Sequence, residues 1–271
     1  MKRKSILSLV LTGALAVSLI GCGGSSSSGD DKTIRIGVSP VPHKEIVEQA
    51  VEELEGKGYT VEIVEFDDYV LPNTSVEEGE LDANYFQHIA YLNTFNEEKG
   101  THLTYTAEIH LEPMGAFSNK YKSVEEIEDG ATVAVPDDSS NETRALRVLE
   151  AAGLIELAEG DILKITDITS NPKNLQFSEL TAASLPRVLE EVDIAVINGN
   201  YALEAGLDVN ENAFYAEDKN KDSLKERRNV LAVKEGTEDT QKIKDLTEAL
   251  TSDKVRDFIS EKYKGAVVPV F

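Results

Sequence analysis

From Ile34 onward, short β-branched runs alternate with apolar residues at helical spacing, and this alternation restricts the chain to an α/β fold of strand–helix–strand units. Ile34-Arg35-Ile36-Gly37-Val38 predicts a strand, and Ile46, Val47, Ala50, Val51 and Leu54 predict a helix within 43–54. Residues 59–66 are extended in pattern, 81–86 form a short buried run, and 103–109 make a strand after a helix-like stretch. Past Pro113 the theme restarts. A strand is expected over 132–136, a helix from Arg144 to Ala152 ending at Gly153, an extended piece at 175–177, helix over 180–189 and strand over 192–197. A strand at 230–233 and helices near 243–250 and 255–263 leave too little chain for a third core, so the tail is expected to rejoin the first unit. The expected organisation is lobe I from 32–111 and 229–271, lobe II from 112–228, and an interdomain ligand cleft that closes about a hinge.

The amino-terminal segment reads as an address. Lys2, Arg3 and Lys4 precede an apolar stretch, Ile6 to Ile20, too short to span a bilayer comfortably but suited to a signal peptide. Leu19-Ile20-Gly21-Cys22 follows and resembles the bacterial lipobox, in which cleavage falls before the cysteine and its sulfur receives diacylglycerol. Residues 1–21 are therefore predicted as signal peptide, and 22–31 as the lipidated Cys22 with a Gly/Ser leash. Two or three acyl chains anchor stably where one does not. The mature chain is expected on the extracytoplasmic face of the cell membrane, periplasmic or cell-surface, tethered rather than spanning.

Composition removes several classes. With 27 Lys and Arg against 50 Asp and Glu, the net charge of −23 argues against nucleic acid as a partner. Cys22 is the single cysteine, which excludes a disulfide framework and a cysteine-cluster metal site. The four histidines are widely separated in sequence and leave little for zinc, the metal alternative being His88 and His110 with carboxylates. No Gly-x-Ser-x-Gly elbow, phosphate loop, Gly-x-Gly-x-x-Gly or His-Glu-x-x-His motif occurs, so neither an enzyme nor a cofactor nor a metal is expected. Asp67-Asp68 and Asp137-Asp138 read as helix caps and loop solvation rather than acid/base pairs.

Two stretches end strand units in polar and aromatic groups: 66–73, Phe-Asp-Asp-Tyr-Val-Leu-Pro-Asn, and 78–88, Glu-Gly-Glu-Leu-Asp-Ala-Asn-Tyr-Phe-Gln-His. With Val133-Ala134-Val135-Pro136, Thr143-Arg144-Ala145-Leu146, Leu185-Pro186-Arg187, the block from Ala195 to Ala202 and the terminal Glu261 to Pro269, they form seven ordered blocks. Their succession resembles the NlpA family of methionine-binding lipoproteins, substrate-binding subunits of the methionine ABC importer. The resemblance covers nearly all of the mature chain. It implies a two-lobed type II periplasmic-binding-protein fold that closes on methionine and delivers it to permease and ATPase subunits. It also implies ligand contacts at Tyr69, Phe86, His88, Tyr91, Arg144, Asn198 and Asn229.

The chemistry of those side chains suits an amino acid. Arg144 offers a planar fork to a carboxylate. Asn198 and Asn229 each supply donor and acceptor to a zwitterion stripped of water. Tyr69, Phe86 and Tyr91 can wall a slot for a thioether, and His88 can shape the wall or hydrogen-bond. Each residue also has a plainer reading: Phe86 as core, His88 as structural, Arg144 as a surface residue at a helix start, Asn198 and Asn200 as turn residues. Some family members carry aromatics where this chain has His110 and Glu112, which leaves L-methionine, D-methionine and derivatives open as ligands. Alternative functions are the same fold binding another apolar amino acid or short peptide, and a surface lipoprotein for adhesion or scaffolding.

Overall fold

The computed structural model describes residues 32–218 and 222–271; the predicted signal peptide 1–21, Cys22 and the 22–31 linker lie outside the described residues. Strand β1 (Thr33–Val38) leads through α1 (Glu45–Gly56), β2 (Thr60–Glu65), α2 (Leu71–Glu78), β3 (Ala83–His88) and α3 (Ile89–Lys99) to β4 (Leu103–Leu111). The chain then crosses to β5 (Gly115–Phe117), β6 (Thr132–Pro136), α4 (Ser139–Ala151) and the small pair β7 (Glu156–Leu157) and β8 (Ile168–Ser170). It continues through β9 (Gln176–Leu180), α5 (Leu185–Val188), β10 (Ile194–Ile197), α6 (Gly199–Glu204), α7 (Val209–Asn212) and β11 (Ala213–Ala216). The last elements are β12 (Arg228–Lys234), α8 (Gln241–Leu250), α9 (Asp253–Tyr263) and β13 (Val268–Pro269).

Two main sheets result. In the six-stranded sheet, ordered β13-β4-β12-β3-β1-β2, β1 lies parallel between β2 and β3, while β12 inserts antiparallel between β3 and β4. In the five-stranded sheet, ordered β11-β5-β10-β6-β9, the parallel trio β10, β6 and β9 is extended by antiparallel β5 and β11. The chain passes between the sheets twice, at 112–114 and between β11 and β12.

Side-chain periodicity explains the layers. Along β6 and β10 successive residues point to opposite faces, so Val133, Val135, Ile194 and Val196 enter a core with Leu146 and Leu149 of α4. Ala134, Ala195 and Ile197 enter a second core with Leu185 and Tyr201. A parallel sheet covered on both faces accounts for the continuous apolar runs in the sequence. In the first sheet, Ile46, Val47, Ala50 and Leu54 bury one face of α1 against Ile34, Ile36 and the α8 residues Leu246 and Leu250. Each of the valine, leucine and isoleucine side chains contributes about 1.5–3 kcal/mol. Among the described residues no helix is long and apolar enough to cross a membrane.

Two boundaries depart from the sequence pattern. The helix expected from Arg144 starts at Ser139, because Asp138 caps it by accepting from Asn141 N at 2.9 Å. The helix expected over 180–189 shrinks to 185–188 behind a single tight turn. There the pairing of Gln176–Leu180 with Thr132–Pro136 holds the preceding residues extended, and Pro186 suits a helix start rather than an interior.

Candidate ligand-binding site

The carboxyl ends of β3, β6 and β10 turn directly into α3, α4 and α6, the edge where open α/β sheets present ligand groups. Side chains from these turns and from β12 line one small, largely closed cavity. All seven residues singled out from the sequence, Tyr69, Phe86, His88, Tyr91, Arg144, Asn198 and Asn229, lie on its wall. Glu112, Asn141, Gly199 and Asn200 join them, none of which the sequence pattern assigned to a ligand.

The amide network crosses from one sheet to the other. His88 caps α3: its Nδ1 accepts from Tyr91 N at 3.1 Å, so Nε2 carries the proton and donates to Asn141 Oδ1 at 3.1 Å. Asn198 Nδ2 donates to the same oxygen at 2.8 Å. Burial, reinforced by the fields of Arg144 and Arg227, holds the His88 pKa well below its ordinary value, so the ring is neutral. Two buried amide atoms on the cavity wall have no partner: the acceptor Asn198 Oδ1 and the donor Asn200 Nδ2. Unsatisfied buried groups are rare in native folds, and two of opposite polarity on one wall suit a ligand bearing both donors and acceptors.

An aromatic wall closes the other side. Asp68 Oδ1 accepts from Val70 N and Leu71 N, fixing the turn that carries Tyr69. The Tyr69 ring stacks on Tyr201, with centroids 4.9 Å apart, and lies 5.6 Å from Phe86 and 5.5 Å from Tyr91. Its hydroxyl donates to Asn200 Oδ1 at 2.6 Å, and Tyr201 donates back to Asp67 O at 3.0 Å. Tyr201, within the block from Ala195 to Ala202, has partners more than 130 residues away, beyond the reach of local pattern.

Arg144 is buried on α4 and is already paired. Nε and Nη2 donate to Glu217 at 2.9 and 2.6 Å, and Nη2 also donates to Glu112 O at 2.7 Å. Glu217 Oε2 accepts in addition from Met114 N at 2.8 Å. Arg144 therefore binds both chain crossings while Nη1 takes no part in these bonds. Arg227, next to it, has its pKa pushed down to about 10 by burial and by repulsion from Arg144.

Behind the cavity the sequence expectation of scattered histidines is corrected. The rings of His43 and His110 lie 5.1 Å apart. His110 Nε2 donates to Glu112 Oε1 at 2.6 Å while its Nδ1 accepts from the Tyr85 hydroxyl. His43 Nε2 lies 3.4 Å from the same Glu112 oxygen and 3.1 Å from Asn229 Oδ1. The composition of His43, His110 and Glu112 would suit a metal ion. Hydrogen bonds already engage the facing atoms of this group, His110 Nε2 with Glu112 Oε1 and His43 Nε2 with Asn229 Oδ1.

Burial pushes the His43 pKa down to about 4, with the field of Glu112 only partly opposing. The unfolded chain, with a histidine pKa near 6.5, therefore binds more protons than the folded one between pH 6.5 and 4. Stability is expected to be complete above that window and to fall as pH drops through it, by about 3 kcal/mol for His43 alone. His88 acts in the same direction. Urea midpoints at pH 7.5 and 4.5 check this, with a shallower dependence expected for His43→Gln.

Comparison with known proteins gives a consistent set of likenesses. The NlpA lipoprotein family model matches residues 34–271. The methionine-binding lipoprotein MetQ of Bacillus subtilis is 37% identical over 276 residues, spanning 100% of this chain and 99% of that protein. A nutrient binding protein from Burkholderia cenocepacia, solved bound to methionine, matches with a TM-score of 0.83 and 39% identity, covering 88% of this chain and 100% of that one. The substrate binding protein of a methionine transporter from Streptococcus pneumoniae matches with a TM-score of 0.83 and 34% identity, covering 89% and 96%.

Proposed function

The chain belongs to the NlpA lipoprotein family, and from that premise we propose that it captures methionine outside the cytoplasmic membrane and delivers it to the permease and ATPase subunits of an ABC importer. Its fold is that of periplasmic substrate-binding proteins. Residues 32–111 with 229–271, and 112–228, act as two lobes closing on the ligand, tethered through diacylglycerol on Cys22. The protein binds and releases its ligand without turning it over.

The observation that carries this reading is the polarity of the cavity wall. An amino acid needs a cation and donors for its carboxylate, acceptors for its ammonium and an apolar slot for its side chain. Arg144, the unpartnered Asn200 Nδ2 and the unpartnered Asn198 Oδ1 meet the first two needs, and Tyr69, Phe86 and Tyr91 meet the third. The methionine methylenes and thioether gain about 2–3 kcal/mol by burial in such a slot. The small size of the cavity favours one amino acid over a peptide.

The test is direct. L-methionine at 100 times its dissociation constant is expected to stabilise the folded protein by about 2.7 kcal/mol in a thermal-shift titration. Mass spectrometry of ligand released from denatured protein should find methionine. A panel response to leucine or a methionine peptide, with none to methionine, would replace the ligand; no response to any amino acid would remove the transport reading.

A further inference from the structure

We propose that Glu112, held in place by His43 and His110, accepts the ligand's ammonium group and makes a free α-amine a requirement of this site; the inference rests on the methionine reading above. The geometry behind it is a chain of bonds converging on one carboxylate oxygen. Tyr85 donates to His110 Nδ1, His110 Nε2 donates to Glu112 Oε1, and the His43 Nε2–H is directed at that oxygen and at Asn229 Oδ1. Both histidines thus act on Oε1, and neither bonds Oε2. That second oxygen lies beside Gly199 on the cavity wall, within 3.0 Å of where a Cβ on that glycine would stand.

Charge points the same way. Arg144 is paired with Glu217, and among the described residues no Lys or Arg side chain forms an ion pair with the Glu112 carboxylate on the cavity wall. Burial alone would raise its pKa, but the His110 bond and the fields of His43, His110 and Arg144 outweigh it and hold the carboxyl below its usual range. A buried carboxylate kept ionised by these partners attracts a cation, and of methionine's groups only the ammonium is one. Asn198 Oδ1, unpartnered on the same wall, supplies a second acceptor for its three N–H bonds. His43 and His110 are positioning residues: they orient the carboxylate, and His43 couples it to Asn229.

The experiment compares L-methionine with 4-(methylsulfanyl)butanoate, the same acid without the amine, by calorimetry on the full-length protein. The wild type is expected to prefer methionine at least about 100-fold, since a site built around a donor rejects an analogue lacking it. Glu112→Gln should shrink that ratio below about tenfold, mainly by weakening methionine. His110→Phe should also lower the ratio, a readout that loss of packing alone would not move. Equal affinities in the wild type, or an unchanged ratio in Glu112→Gln, overturn the inference while the methionine reading stands. A wild type that binds no methionine overturns both.

Discussion

Arg144→Ala is expected to reduce methionine affinity by about 30- to 5,000-fold, since truncating one partner of a buried, hydrogen-bonded charge pair costs about 2–5 kcal/mol. The guanidinium is 3% exposed, and its replacement also strands Glu217, whose side chain is only 10% exposed. An uncompensated buried carboxylate should lower folding stability by about 3–5 kcal/mol. The double variant Arg144→Ala with Glu217→Gln separates the two effects: urea unfolding should recover, and binding should not. Phe86→Leu, which loses aromatic–sulfur contact but keeps an apolar wall, is expected to cost only about tenfold. Calorimetry giving the opposite order would mean that the aromatic slot dominates recognition.

Gly199→Ala is the second large effect, and here two physical arguments have opposite signs. Alanine in a helix interior gains about 1 kcal/mol over glycine, and at this buried first position of α6 some part of that gain would act to stabilise. The added Cβ, however, would stand 2.7 Å from Glu112 Cβ, 3.0 Å from its Oε2 and 3.3 Å from Pro113 O. None of these can retreat easily, because Glu112 Oε1 is engaged by His110 and Pro113 is backbone. Overlap in a packed interior costs about 1–3 kcal/mol, so the net result should be a less stable protein. Displacing the Glu112 carboxylate should also lower methionine affinity by about 10- to 100-fold. A higher urea midpoint with intact binding would show that the wall yields.

Much of the fold could be read from the chain because its signals are local. Alternation of strand and helix patterns follows from residues a few positions apart, and β1, β6, β10, α1, α8 and α9 appear near their expected places. The three-residue β5 and the short β11 escaped, since each depends on a partner strand rather than on its own pattern. The site divides similarly. Its seven candidate side chains came from ordered blocks that resemble a family, and the structure brings all of them onto one cavity. Glu217 lies 73 residues from Arg144, and His43 lies 186 from Asn229, so neither partnership leaves a trace in spacing. Glu112 was visible only as a departure, and His110 as that and as a metal alternative with His88. Their joint role emerged once folding set His43 beside them.

The position of Arg144 has a mechanical consequence. Through Glu217 and the Glu112 carbonyl, one side chain grips both connections between the sheets, and the same guanidinium borders the cavity. Anything that draws its remaining nitrogen inward tugs on the two connections at once, so they are geared together rather than free to flex singly. Vacancy and occupancy would then be legible from outside as a difference in the stiffness of the joint, without any signal having to travel through either core.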